Sequence, residues 1–367
     1  MPIRMKDIAK DVGVSVVTVS KVLRNHPDIA EGTRERVLQR VKELDYQPNT
    51  MARSLVTGRS FLVGLVVPDL LHPFFAEVAK GLSNAVRARG YSLIISSSEE
   101  DPKLEAKEIQ QLAARRLDAL VVASTGSTTE SFERLDRMEQ PYILIDREFR
   151  GYPASFVGSD DQAAGRLATE HLIEQGCRRI AHIRGRENST GTLRFEGYKQ
   201  TLLRSGLYAE NLVIARSNVD VDSNRHGFEA MRHLLQQRPR PDAVFCYNDP
   251  LAIGAMNAIL EEGLRIPEDI ALVGCGNLHF DGSLRVPLSS IDHHSQMMGE
   301  RAGAILLNFF DSKVRPQPVS VILEPALVVR ASSRKHPASD STTGQTPATS
   351  AEKATVSPKR AGTAKKA

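Results

Sequence analysis

Ser15, Thr18 and Ser20, three short hydroxyl side chains, stand close together near the N-terminus, and Lys21 and Arg24 follow them. Small hydroxyls and cations suit the oxygens of a phosphate backbone, and a lysine or arginine also suits a guanine edge. Covalent chemistry has less to work with. The three cysteines, Cys177, Cys246 and Cys275, are far apart, form no C-x-x-C pair and have no histidine cluster at metal-ligand spacing. They are expected to be reduced buried thiols in a chain that needs no metal and no cofactor. No G-x-S-x-G elbow, P-loop or complete G-x-G-x-x-G is found, and Gly274-Cys275-Gly276 lacks the third glycine of the dinucleotide fingerprint. An enzyme is therefore not expected.

The elements that must position these groups come from a chain of 367 residues, too long for one ordinary core. A hydrophobic share of 41% with 25% charged residues is that of a soluble globular protein. No window approaches a membrane span and the N-terminus has no apolar signal core, so secretion is not expected and a cytoplasmic location is. The net charge of +4 hides three blocks: residues 1–60 carry +4, residues 61–330 carry −5 and residues 331–367 carry +5. A basic head on an acidic body places any polyanion at the ends of the molecule.

From Phe61 to about Arg330 a strand-then-helix rhythm argues for parallel sheets with covering helices. Strand candidates are Leu62 to Val67, Ser92 to Ser96, Ala119 to Ala123, Tyr142 to Ile145, Ile180 to Ile183, Ala243 to Cys246 and Ile270 to Val273. Amphipathic stretches such as Phe74 to Arg89 and Asp161 to Gln175 lie between them, and Gly90, Gly176 and Gly263 are placed as left-handed helix caps. About ten strands fit two doubly wound lobes better than one wide sheet, with a ligand cleft at the carboxyl ends of the strands. Pro337 to Ala367 is Ala, Thr, Ser, Pro and Lys, which cannot bury enough apolar surface and is expected to be disordered. Its lysines are chiefly a solvated tail, with weak sequence-independent attraction to DNA as the alternative.

The first sixty residues differ. Met5 to Ala9 opens a helix with Ile8, Ala9 and Val12 at helical spacing, Gly13 breaks it, Ser15 is placed as an N-cap, and Thr18 to Val22 forms a second helix. A third, roughly Thr33 to Leu44, carries Val37, Leu38, Val41 and Leu44. Two short helices about such a turn make a helix-turn-helix, whose second helix fits the major groove. A helical hairpin packed on another domain has the same pattern.

The run Met5 to Leu23 (MKDIAKDVGVSVVTVSKVL) resembles the DNA-binding head of the LacI/GalR transcriptional regulators, and Tyr46 to Gly58 (YQPNTMARSLVTG) resembles that family's hinge. The likeness continues to about Ser332. It implies a helix-turn-helix head at 1–46, a hinge helix and linker at 47–60 and a periplasmic-binding-protein-like core at 61–332, with a disordered basic tail at 333–367. Lobe one is expected at about 61–160 and 291–320, and lobe two at about 161–290 and 321–332. The fold class is thus an α-helical head plus an α/β core of two doubly wound parallel-sheet lobes.

Carried onto this chain, the resemblance places DNA contacts at Ser15, Val16, Val17, Thr18, Ser20, Lys21, Arg24 and Asn25, and in the hinge at Asn49, Ala52, Arg53 and Leu55. Val16 and Val17 stand where the family reads bases. Having no hydrogen-bonding groups, they would touch thymine methyls, or else pack on the first helix. The hinge is too short for a stable isolated helix, so it would order on operator DNA with Leu55 as a minor-groove wedge; packing of Leu55 on the lobe is the alternative. For the effector the resemblance implies Phe74, Phe75, Ser124, Asp146, Arg147, Asp160, Arg194, Asn248 and Asn277. Asp161 and Asp249 are expected to cap helices instead.

Two departures qualify the likeness. Ala30-Glu31-Gly32-Thr33 lacks the usual cap of the third helix, at a cost of about 1 kcal/mol each for cap and glycine. In Val273-Gly274-Cys275-Gly276-Asn277, Gly276 stands where the family commonly has the Asp that binds effector hydroxyls, which puts a standard hexose mode in doubt unless Asn277, His279 or Asp281 substitutes. The expected partners are operator DNA, a small-molecule effector that is a sugar or related metabolite, and a second copy of the chain, with no membrane. The expected function is a repressor binding a palindromic operator. A homodimer follows because one head reads few bases and the tail has no leucine heptad for a tetramer. A solute-binding protein would leave the head unexplained.

Overall fold

The computed structural model describes residues 3–23, 25–47, 54, 57–126, 128–149, 151–215, 222–312 and 316–335. Arg24, Asn49, Ala52, Arg53, Leu55 and the tail from 336 on lie outside the described residues, as do the expectations attached to them.

In the head, α1 (Met5–Val12), α2 (Val16–Leu23) and α3 (Glu31–Glu43) enclose a small core of Ile8, Ala9, Val19, Val22 and Val37. Gly13 ends α1 at φ +73°, and Ser15 Oγ accepts from the Thr18 N–H at 3.0 Å to start α2. α1 runs through Val12, which packs onto this core, up to the expected break at Gly13. α3 starts at Glu31, two residues before the expected Thr33, although Ala30 provides no side-chain cap. Leu38, expected on the core face, is 46% exposed. Val37, Val41 and Leu44 repeat at spacings of four and three, and Leu38 lies about 100° around the helix from Val37.

Two six-stranded sheets build the rest. The first takes β1 (Leu62–Val67), β2 (Ser92–Ser97), β3 (Ala119–Val122), β4 (Tyr142–Ile145), β5 (Phe156–Ser159) and β11 (Ser320–Leu323) in the order β11-β5-β4-β3-β1-β2, all parallel. The second takes β6 (Ile180–Ile183), β7 (Val213–Ile214), β8 (Ala243–Cys246), β9 (Ala271–Cys275), β10 (Ser289–Asp292) and β12 (Ala326–Val328) in the order β12-β10-β9-β8-β6-β7. Only β12 in it is antiparallel, against β10. The central strands are buried on both faces, as parallel strands covered by helices must be. The covering helices are α4 (Pro73–Arg87), α5 (Pro102–Ala114), α6 (Glu130–Arg137), α7 (Asp161–Glu174), α8 (Ser189–Arg204), α9 (Ser223–Leu235), α10 (Asp249–Glu261) and α11 (Ser295–Asp311). The anticipated cap glycines Gly90, Gly176 and Gly263 have φ of +80°, +84° and +72°.

The chain passes between the sheets after β5, after β10 and after β11. β10 stays with the second sheet through Asp292, which pairs with Ala326 of β12, beyond the expected boundary at 291. β11, most of which was assigned to lobe two, pairs with β5 and edges the first sheet, where the Phe156 and Asp160 N–H groups bond to the carbonyls of Val319 and Leu323. Each sheet reverses its winding between two neighbouring strands, β1 and β3 in one and β6 and β8 in the other, which opens a crevice at their carboxyl ends. No helix among the described residues is long and apolar enough to cross a membrane.

Candidate functional site

Two places gather the side chains singled out by the sequence. On the head, α2 turns Val16 and Val17 outward, 44% and 63% exposed, while Val19 and Val22 on its other face are buried. The two valines therefore do not pack on α1. Thr18 Oγ1 lies 2.8 Å from Ser15 Oγ, so these hydroxyls share a hydrogen bond at the helix start. Lys21 Nζ reaches Asp28 Oδ2 at 2.5 Å, and the His26 ring lies 2.6 Å from the other Asp28 oxygen. The lysine hydrogen bond first, and the histidine after it, hold the Asp28 carboxyl below its usual range. Asn25, at φ +56°, accepts at its side-chain oxygen a hydrogen bond from Arg34 Nη1 at 2.7 Å. Ser20 is half-buried beside them.

The second place is the crevice, a cleft between the two lobes with a cavity of about 60 Å³. From the first lobe come Asp69 and His72 after β1, Phe74 and Phe75 at the start of α4, Glu100 after β2, and Asp146 and Arg147 after β4. From the second come Arg186 and Asn188 after β6, Arg194 on α8, Tyr247 and Asn248 after β8, and Cys275 and Gly276 at the end of β9. His293 lies on the crossover beyond β10. Phe74 and Phe75 meet edge to face at 5.1 Å, and His72 lies against both.

Burial forces the charges here to be paired. Arg194 Nε donates to Asp161 Oδ1 at 2.7 Å and Nη1 to the Tyr247 carbonyl at 2.9 Å, with the guanidinium 4.6 Å from the Tyr247 ring centre. Arg147 makes a two-pronged bond to Glu100 at 2.8 and 2.9 Å. Asp146, at φ +65°, has no such pairing at close range: the Arg147 guanidinium is 3.7 Å away, and burial pushes the carboxyl up to about 6. Across the cleft, Asn248 Nδ2 lies 3.1 Å from His72 Nε2, and Ser189 Oγ accepts from the Glu148 N–H at 3.0 Å. Aromatic faces beside fixed polar groups fit recognition of a small ring compound.

Six of the nine expected effector residues line this cleft: Phe74, Phe75, Asp146, Arg147, Arg194 and Asn248. The other three face elsewhere. Ser124 is buried and bonded to Glu105 at 2.7 Å. Asp160 caps α7 by accepting from the Ala163 N–H. Asn277 spends its amide on Asp292 and Arg330, at 3.1 and 2.6 Å, on a separate surface hollow. Asp161 and Asp249, expected as caps, do not cap. Asp160 and Asn248, one residue earlier, take those roles, which leaves Asp161 to pair with Arg194 and Asp249 to sink beside Ser290 and Asp281. Glycine at 276 has a local cause as well: at φ +144°, a Cβ there would stand 2.7 Å from Asp249 Oδ2. Asp69, Glu100, Arg186, Asn188, Ser223 and His293 line the cleft without having been expected. They follow strand ends or helix starts, a signal available only once the strand order is known.

A family profile described as "Bacterial regulatory proteins, lacI family" matches residues 4–49, and one described as "Periplasmic binding proteins and sugar binding domain of LacI family" matches residues 60–323. The chain belongs to the LacI family. Among its relatives, the ribose operon repressor of Halalkalibacterium halodurans is 33% identical over 84% of this chain and 91% of its own length. The transcriptional repressor PurR of Haemophilus influenzae is 32% identical over 89% of this chain and 98% of its own. A solved complex of the transcriptional regulator CelR with cellobiose covers 90% of this chain and 99% of its own, at 30% identity and a TM-score of 0.67. This LacI-family chain is accordingly a DNA-binding transcriptional regulator with a small-molecule effector core. Its relatives are regulators rather than enzymes.

Proposed function

We propose that the protein is a homodimeric repressor that binds a palindromic operator and is controlled by a sugar or related ring metabolite held between its lobes. Val16 and Val17 carry this reading: two apolar side chains turned to solvent on the second head helix, where nothing inside the head requires them. Their exposed methyls suit thymine methyls in the major groove, with Ser15, Thr18, Ser20, Lys21 and Asn25 beside them for phosphates. Freeing Lys21 for DNA means exchanging Asp28 for a phosphate, both being anions. Arg24, with Asn49, Ala52, Arg53 and Leu55 of the hinge, completes the DNA-contacting set by family resemblance. One head spans too few base pairs for specificity, and twofold heads match half-sites one helical turn apart.

In the cleft, the face formed by Phe74 and Phe75 takes the apolar side of the ring, and Asp146, Arg147, Arg194 and Asn248 take its polar groups. With no side chain at Gly276, a hydroxyl there is read by other groups. Such a regulator acts in the cytoplasm, beside the chromosome. The test is selection of genomic fragments by the purified chain, repeated with Leu55→Ala. A palindrome enriched by the unaltered chain and weakened by the variant is the expected result. No enriched motif at any salt concentration, with or without a metabolite pool, would overturn the reading.

A further inference from the structure

The three crossovers between the lobes meet at one serine. Ser159, the last residue of β5, donates its hydroxyl proton to the carbonyl of Leu323 at the end of β11, at 3.3 Å. Its oxygen also lies 3.1 Å from Nδ1 of His293, just beyond β10. A hydroxyl has one proton, and a carbonyl can only accept, so the hydrogen joining Ser159 to His293 belongs to Nδ1. His293 is buried, which holds its imidazole well below the ordinary range and therefore neutral, leaving Nε2 as an acceptor. Cys275 Sγ stands 3.0 Å from that nitrogen. The direction of every bond is then fixed: the Cys275 thiol donates to His293, His293 to Ser159, and Ser159 to Leu323. Cys275 and His293 line the cleft, whereas Ser159 and Leu323 lie at the joints between the lobes. Asp160, the next residue on the first crossover, donates its N–H to the same Leu323 carbonyl at 3.0 Å.

We propose that Cys275, His293 and Ser159 are positioning residues that carry occupancy of the cleft to the angle between the lobes. An effector oxygen or nitrogen that accepts the thiol hydrogen draws Cys275 away from His293. His293 then loses the partner that holds its Nε2, the ring that ties the β10 crossover to Ser159 and through it to Leu323 is loosened, and the lobe equilibrium shifts by the difference in contacts. This rests on the regulator reading above.

The test needs no known effector, because removing the thiol hydrogen bond mimics its diversion. The operator affinity of the full chain is measured on the palindrome that the unaltered chain selects, for Cys275→Val, His293→Phe, His293→Gln and Ser159→Ala, together with a melting curve for each. Cys275→Val, His293→Phe and Ser159→Ala are expected to shift the operator Kd in one direction by at least about fivefold. Pairwise combinations are expected to shift it no further than one change alone, since each cuts the same chain. His293→Gln, which can still donate and accept, is expected to fall between. If His293→Phe does not fold, the Cys275→Val and Ser159→Ala pair decides by the same rule. Folded variants with unchanged operator affinity, or shifts that multiply independently, would overturn the proposal even if the melting temperatures move. A chain that selects no palindrome contradicts instead the regulator reading beneath it.

Discussion

The head and the cleft solve opposite problems. The head works with exposed side chains, Val16 and Val17, on a helix that a few local apolar contacts hold in place. The cleft works with buried charges, Arg147 on Glu100 and Arg194 on Asp161, assembled from six strand ends and one crossover. A surface that reads a long polyanion can leave its own groups wet and lightly paired. A cavity that takes a small molecule out of water must neutralise its charges beforehand, or they would not tolerate burial. Changes in the cleft are therefore expected to alter stability and response together, and changes on the head to alter DNA binding alone.

Arg194→Met should break this contrast most sharply. It strands Asp161, already pushed up by burial, and is expected to cost about 3–5 kcal/mol in denaturant unfolding. Next comes Gly276→Asp, which restores the family's carboxylate but sets it at φ +144° against Asp249. A loss of about 1–3 kcal/mol is expected from backbone strain, before like-charge repulsion is added.

Asp281→Asn should act in the other direction. Asp281 is buried beside Asp249, and burial, followed by that neighbouring charge, pushes its carboxyl up to about 8. A raised carboxyl contributes full stability below about pH 4 and loses it as pH rises through 8. The asparagine variant should match the native chain near pH 4 and exceed it by about 1–2 kcal/mol at pH 8, read as the difference between two unfolding curves.

Val17→Ala tests the head. Operator affinity should fall by about 1 kcal/mol with relaxed preference at one base pair, and the melting temperature should not move because the side chain is exposed. The smallest effect is expected for Asp28→Ala, which frees Lys21 from an exposed ion pair. Operator binding should tighten by under about threefold, and most clearly at low salt.

The same contrast explains what the sequence revealed. The head was legible because its signals are local: Gly13, Ser15 and the apolar spacing of α1 and α2 lie within twenty residues. Seven strands were legible as short apolar runs, whereas β5, β10 and β11 contain Gly or Ser, β12 has three residues and β7 has two. In the cleft, Phe74, Arg194 and Asn248 were found by family motif. Glu100 and His293 were not, because what brings them to the cleft is the strand order and the crossovers. The cap assignments at Asp161 and Asp249 missed by one residue, since an acidic residue at either of two adjacent positions gives the same local pattern.

The most direct test of the account titrates the operator complex with compounds that bind the cleft. A panel of monosaccharides, nucleobases and nucleosides is first screened for a rise in melting temperature. Operator Kd is then measured by fluorescence anisotropy with each compound that binds. The account predicts one that changes the Kd by at least about fivefold, and an operator that changes the compound's own Kd by the same factor. A compound shown to occupy the cleft that leaves operator affinity untouched, with no reciprocal effect, would contradict it.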